Sequence, residues 1–293
     1  VSFDNLKSTL VGSQPAKNKN NKTILNIALL HFTIFINMRL KLVKILLAFI
    51  LITLLCIIMY KNAQNNEMLV INNARESFVK IIVENEMFIT SCSDQELFNG
   101  NCDATSISVE DYKIFGSGII INHNMQNYIL TADHICRQMI SGGVESQDGR
   151  TGMLLSSAFA MMLDGMLYKV DIKKQDEIND ICLLDFERSD EAKGIKIYNS
   201  NLIPGERVYN LAAPRGVFEP GNVLIFDGFY TGITSTANNG MMFSIYAEQG
   251  SSGSAIINNK GELVSIIHSV LTSIDNVAIG SNLNEIREFL KDE

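Results

Sequence analysis

Apolar and polar positions alternate in two different ways along this 293-residue chain. Residues 45–60, ILLAFILITLLCIIMY, carry no charge at all, with Arg39, Lys41 and Lys44 just before them and Lys61 after. As a helix this run rises about 24 Å, and with Leu42 and Val43 added and Lys44 snorkelling it approaches the ~30 Å hydrocarbon core of a bilayer. A buried core helix fits poorly, because the run is apolar all round and tied to a cationic flank. Beyond residue 77 the pattern changes to short apolar runs of strand length: FVKIIV (78–83), GSGIIIN (116–122), NYILTA (127–132), LYKVDI (167–172), DICLLDF (180–186), RVYNLAA (207–213), NVLIFDGFYTGI (222–233), MMFSIYA (241–247), SAIIN (254–258) and ELVSII (262–267). Turn formers such as NHNMQN, LDGM and NNKG separate them, which predicts a β-barrel or sandwich. Only 281–291, SNLNEIREFLK, reads as a helix in this part, with Ser281 as N-cap and Leu283, Ile286 and Leu290 on one face. The Met-rich stretch 151–166 fits neither period, and no internal repeat recurs at a fixed spacing.

Charge sharpens the division. The chain holds 24 Lys and Arg against 32 Asp and Glu, a net −8, with 46% hydrophobic residues. Residues 1–60 carry seven basic residues and one acidic, whereas 61–293 carry 17 basic and 31 acidic. So acidic a larger part does not suit nucleic acid, whose phosphates need clustered Lys and Arg. The cationic flank and apolar run predict a signal anchor at 38–60; the alternative is a cleaved signal and a secreted protein, but no small-residue cleavage pattern follows the run. The positive residues before it predict that 61–293 lie on the non-cytoplasmic side. Met38 opens MRLKLVK, the form expected of an export signal, so 1–37 are expected to be an untranslated or disordered leader. Residues 61–77 read as a spacer and 78–293 as the functional domain.

That domain contains three histidines, His123, His134 and His268. None forms H-E-x-x-H or a close His/Cys cluster, and GSG at 116–118 runs into a strand, so no metal, nucleotide or other cofactor is expected. Singly, His134 at a strand end, Asp180 heading an apolar run and Ser252 among Gly250, Ser251 and Gly253 have ordinary structural explanations. Together, in that order, they match a His–Asp–Ser nucleophilic mechanism. An α/β-hydrolase is excluded, since its order is Ser–Asp–His and its elbow reads G-x-S-x-G.

With these residues in place, the chain resembles the trypsin-like (chymotrypsin-fold) serine peptidases over about 78–290, and most of all their Deg/HtrA-like or glutamyl-endopeptidase-like branch. GSGIIINHNMQNYILTADHI is similar to the strands ending in the catalytic His, here His134. MLDGMLYKVDIKKQDEINDICLLDF is similar to the segment bearing the catalytic Asp, here Asp180. LAAPRGVFEPGNVLIFDGFYTGI resembles the opening of a second barrel, QGSSGSAIINNKGELVSII the nucleophile loop of Ser252, and VAIGSNLNEIREFL the closing strand and helix. The resemblance implies an all-β fold of two six-stranded antiparallel barrels, about 78–190 and 200–280, with a C-terminal helix at 281–291, preceded by the transmembrane helix. It also implies a serine endopeptidase acting on polypeptides through an acyl-enzyme, with the backbone N–H groups of Gly250 and Ser252 as oxyanion hole.

Departures narrow what carries over. Ser251 replaces the Asp that pairs with a freshly cut N-terminus in digestive relatives, so activation by such a cut is not expected. Asp133 replaces a small residue before the His, and Ala255 a common Pro. No PDZ-like extension follows the helix, so regulation by an appended domain is not expected. By register Tyr246 stands at the floor of the specificity pocket and Ile267, His268 and Ser269 along its wall. The floor has no Asp, which gives no support for Arg or Lys preference. His268 lies one residue late for the pocket His of glutamyl peptidases, leaving both Glu preference and a solvent-facing His268 open. Cys92 and Cys102 flank a polar loop and form the expected disulfide; Cys136 lacks a partner at the familiar position, and Cys182 reads as a small buried hydrophobe. A catalytically silent peptide-binding module and an esterase on the same fold are the competing readings. Oligomeric state is not legible.

Overall fold

The computed structural model describes residues 19–93, 99–100, 107–145, 150–187, 192–235, 239–271 and 273–292. The chain divides into two compact units, Val1–Gln64 and Asn65–Glu293. Helix α1 (Lys19–Arg75) supplies the first unit's regular structure, and its residues 29–60 are exposed throughout. Within it, Leu29–Arg75 is a candidate membrane span by length and composition. The helix continues through 61–75, where the Asn-rich composition predicts a spacer. In the second unit its closing turns are held by tertiary contacts: Ala74 is buried, Ile71 packs on the core, and the Glu67 carboxylate accepts from the Tyr209 hydroxyl.

The second unit forms two closed barrels. The first contains β1 (Phe78–Ser93), β2 (Ile107–His123), β3 (Gln126–Thr131), β5 (Arg150–Met162), β6 (Leu167–Asp176) and β7 (Ile181–Phe186) in the order β1-β2-β3-β7-β6-β5, closed by β1 on β5. Helix α2 (Asp133–Arg137) follows β3, and the short β4 (Gly142–Glu145) adds to β5. The second contains β8 (Arg207–Ala212), β9 (Leu224–Ile233), β10 (Met241–Ser244), β11 (Ala255–Asn258), β12 (Leu263–Val270) and β13 (Val277–Gly280), in the order β10-β13-β12-β11-β8-β9. The Met-rich stretch is thus a strand, β5, paired on one side with β1 and on the other with β6.

Three apolar clusters explain why many strands read as unbroken apolar runs instead of alternating ones. Ile120, Ile129, Cys182 and Leu184 fill the first barrel, while their neighbours Ile119, Ile121, Leu130, Ile181 and Leu183 face a core shared with Leu211, Ile257 and Leu263 of the second. Phe243, Ile256, Val264 and Ile267 fill the second barrel. Strands β3, β7 and β11 therefore bury both faces, at roughly 1.5–3 kcal/mol per large side chain. Helix α3 (Leu283–Phe289) closes the shared core with Ile286, Phe289 and Leu290. Its N-cap is Asn282 in a capping box with Glu285, not Ser281; Ser281 is buried and its hydroxyl donates to the Asn179 carbonyl instead.

Candidate active site

Strand β3 delivers His134 to the first turn of α2, where Asp133, Ile135 and Cys136 are buried and His134 stays half exposed. Opposite, Asp180 opens β7 after a turn in which the Asp176 carboxylate accepts from the main-chain N–H groups of Ile178 and Asn179. Asp180 has φ +51, a left-handed conformation that Asp tolerates better than most residues and that turns its side chain back toward α2. Both carboxylate oxygens then engage one residue. Oδ1 accepts from the His134 main-chain N–H at 2.8 Å, and Oδ2 lies 2.7 Å from Nδ1. An ionised carboxylate only accepts, so this contact puts the ring proton on Nδ1 and leaves Nε2 with its lone pair as an acceptor. Burial opposes ionisation of Asp180, but the hydrogen bonds from His134 outweigh it and hold the carboxyl below its usual range.

The unexpected Asp133 does not compete for the imidazole. It accepts from Gln175 Nε2 at 2.8 Å and lies 3.1 Å from Arg137 Nε, and burial raises its own pKa.

Ser252 comes from the second barrel. Its carbonyl accepts from the Ser117 N–H at 2.8 Å, and the next residue, Gly253, donates to the Ile267 carbonyl at 2.7 Å. Gly253 has φ +82, and a Cβ there would lie 2.1 Å from both the Ser117 carbonyl and the Thr131 hydroxyl and 3.1 Å from the Ala132 nitrogen. The loop therefore seats against the end of β3, two residues from His134, only because position 253 has no side chain. Gly250, at φ +90, is equally constrained: a Cβ would meet the Ala213 carbonyl at 2.7 Å and the Arg215 nitrogen at 2.8 Å.

Neighbouring bonds set the direction of the loop's peptides. The Gln249 carbonyl accepts from the Arg215 N–H at 2.6 Å. The Gly250 carbonyl accepts from the buried Ser117 hydroxyl at 2.8 Å, and that hydroxyl accepts from the Ala213 N–H at 3.0 Å. Ser251 and Ser254 donate within the loop. Among the described residues, the N–H groups of Gly250 and Ser252 have no acceptor, which leaves two donors on either side of Ser251 unsatisfied. Ser117 and Arg215, which set this arrangement, carry no motif signal of their own.

A cleft of about 470 Å³ beside the loop is lined by Tyr246, Glu248, Val270, Ile274, Asp275 and Val277 among others. Tyr246 lines this cleft, its hydroxyl donating to Glu248 at 2.8 Å. Ile267 is not on the wall: it is buried in the second-barrel core. Between Ile267 and Ser269 the β12–β13 ladder slips by one residue, so His268 is the extra residue of a bulge. Burial lowers its pKa, and the charged groups it senses are Asp180 and His134. Neither His268 nor Ser269 is among the residues lining the cleft, which carries carboxylates and no Lys or Arg among its described lining residues.

The cysteines also differ from expectation. Cys136 and Cys182, both fully buried, form a disulfide, so Cys182 is not a lone buried thiol. The missed signal is spacing: each stands two residues past His134 and Asp180 respectively. Cys102 and the side chain of Cys92 lie outside the described residues.

Residues 116–266 match the model of the trypsin-like peptidase domain. Among curated proteins, the chain is 26% identical over 204 residues to a "Probable periplasmic serine protease do/HhoA-like" of Haemophilus influenzae, covering 68% of this chain and 39% of that protein. It is 25% identical over 179 residues to a "Probable serine protease do-like" of Buchnera aphidicola, covering 58% and 33%. The chain thus spans between a third and two fifths of the length of these relatives. Among solved structures, an inactive mutant form of Rv3671c from M. tuberculosis H37Rv aligns at 13% identity and a TM-score of 0.49, covering 76% of this chain and 89% of that one. Since the matched stretch takes in more than half of the chain, and runs from the strand before His134 past the loop of Ser252, the protein belongs to the trypsin-like serine peptidases.

Proposed function

We propose that the protein is a membrane-anchored serine endopeptidase that hydrolyses polypeptides through an acyl-enzyme. The observation that carries this reading is the double engagement of His134 by Asp180, through ring Nδ1 and main-chain N–H. A peptide-binding module needs no such pair. In the proposed mechanism Nε2 of His134 takes the Ser252 hydroxyl proton as Oγ attacks the scissile carbonyl, and Asp180 stabilises the imidazolium that forms. The N–H groups of Gly250 and Ser252 bind the tetrahedral oxyanion. His134 then gives its proton to the leaving amine, and water, activated by the same imidazole, releases the acyl group from Ser252.

The anchor is assigned to residues 38–60, whose uncharged apolar run is 45–60. Arg39, Lys41 and Lys44 before it favour a peptidase unit on the non-cytoplasmic side, where the polypeptide substrates would be met. Digestion of a peptide library by the full-length protein in detergent tests the activity. Cleavage that disappears in Ser252→Ala and in His134→Ala is expected. A folded wild type that leaves every peptide intact would overturn the reading in favour of a silent module, and hydrolysis of simple esters alone would favour an esterase. Protease accessibility in intact cells tests the topology: digestion of the catalytic unit from outside the cytoplasmic membrane is expected, and protection there contradicts it.

A further inference from the structure

The Cys136–Cys182 disulfide runs alongside the His134–Asp180 contact. Both link α2 to β7, and both span 46 residues. The β3–β7 ladder ends at the pair Thr131 and Cys182. Beyond that pair the strand partners diverge, β3 into α2 and β7 back toward the turn that carries Asp180. No ladder bond therefore fixes the spacing of His134 and Asp180. Asp180 itself sits at φ +51, a conformation other than the relaxed extended one, which surrounding structure has to maintain. Three ties across the divergence remain among the described residues: the hydrogen bond from Gln175 of β6 to Asp133, an exposed ion pair of Arg137 with Glu177 in the turn, and the disulfide, the one covalent and fully buried tie.

Resting on the peptidase reading, we propose that Cys136 and Cys182 are positioning residues, whose oxidation to a disulfide locks the imidazole of His134 onto the carboxylate of Asp180 and is required for full activity. Neither sulfur touches substrate. They act by holding α2 at a fixed distance from the head of β7. In the balanced step, the two thiols give up two protons and two electrons to a small-molecule disulfide such as oxidised glutathione, which leaves as two thiols. Both sulfurs are fully buried, so the bond forms during folding and yields only slowly to reductants afterwards. This ties activity to folding in an oxidising compartment, where such bonds persist. It also fits the proposed non-cytoplasmic side of the peptidase unit. The pair further distinguishes this bond from one that only stabilises: with Asp180 strained and the ladder already ended, the geometry at risk is that of the reacting groups.

The test compares full-length wild type with Cys136→Ala/Cys182→Ala, measuring kcat per active site titrated with a fluorophosphonate, KM for one peptide substrate, and the circular dichroism spectrum. The expected result is a kcat reduced about tenfold or more at unchanged KM and unchanged fold, since misplacement of a catalytic group by about 1 Å can cost on the order of 100-fold. Wild-type kcat in the folded double variant would overturn the proposal and leave the peptidase reading standing. Should the variant not fold, wild type is reduced after folding with a phosphine and its thiols are counted. Loss of kcat on reduction of this bond, restored by oxidised glutathione, supports the proposal; retained kcat with both thiols free overturns it. An oxidised wild type that is never labelled and never cleaves peptide fails on the peptidase reading itself.

Discussion

Replacing Gly253 by Ala tests how the two barrels assemble the site. The added Cβ would lie 2.1 Å from the Ser117 carbonyl oxygen and 2.1 Å from the Thr131 hydroxyl, well inside van der Waals contact. Holding an L-residue at φ +82 costs about 1–2 kcal/mol by itself. Relieving the clash requires the loop to lift off β2 and β3. That breaks Ser117 N–H to the Ser252 carbonyl, Gly253 N–H to the Ile267 carbonyl, and the Ser117 hydroxyl to the Gly250 carbonyl. At about 1 kcal/mol net per bond, the total destabilisation is on the order of 4 kcal/mol. Gly221→Ala is the control. Its φ is +79, but no atom lies within 4 Å of the added Cβ, so it carries the backbone cost of about 1–2 kcal/mol without the clash. Urea unfolding of the detergent-solubilised chain, followed by tyrosine fluorescence since there is no Trp, gives both values. Fluorophosphonate labelling should be lost in Gly253→Ala and kept in Gly221→Ala. Equal destabilisation of the two variants, with labelling retained in both, would refute the argument that the missing side chain at 253 seats the nucleophile loop.

Other substitutions probe the remaining contacts. Asp180→Asn should lower kcat about 10⁴-fold by favouring the wrong imidazole tautomer, measured per titrated site; a loss below tenfold would contradict the role given to Asp180. Because the Asp180 carboxyl titrates below its unfolded value, its stabilising charge is fully present above about pH 4. It is lost as pH falls through the folded value, so the Tm gap between wild type and Asp180→Asn should close in that range. His268 has the opposite chemistry but the same sign. Burial lowers its pKa, so the unfolded chain binds a proton more readily than the folded one once pH falls below about 6.5. Wild type should therefore lose Tm relative to His268→Gln between pH 7 and 5, and parallel curves would contradict a buried neutral His268. Ser117→Ala should destabilise by about 2–4 kcal/mol, since it strands the Gly250 carbonyl and the Ala213 N–H together. It should also slow labelling through the displaced Gly250 peptide, and a wild-type labelling rate would refute that link.

Strand positions were legible because barrel strands that bury both faces write themselves as apolar runs. β3, with Tyr128, Ile129 and Leu130 buried in succession, is an example. The contact of His134 with Asp180 was legible too, because each sits at the edge of such a run with turn residues beside it. What stayed hidden depends on pairings between distant segments. The Cys136–Cys182 bond joins segments 46 residues apart, and only the equal offsets of the two cysteines from His134 and Asp180 point to it. The one-residue bulge at His268 reverses which way that side chain points and moves it from the expected pocket wall toward Asp180. The continuation of α1 through the Asn-rich 61–75 has the same origin. Asn and Gln favour a spacer locally, while Glu67, Ile71 and Ala74 gain tertiary partners that override the preference. Asn282 displaces Ser281 as N-cap for a similar reason: Ser281 is taken up by the Asn179 carbonyl at the base of the Asp180 turn.

The central claim is that Ser252 is a nucleophile activated by His134. The most direct measurement is the site of fluorophosphonate attachment in the full-length protein, mapped by peptide mass spectrometry. A single adduct on Ser252, absent from His134→Ala and from Ser252→Ala, is the expected result. An adduct on another residue, or one that persists undiminished in Ser252→Ala, would contradict it.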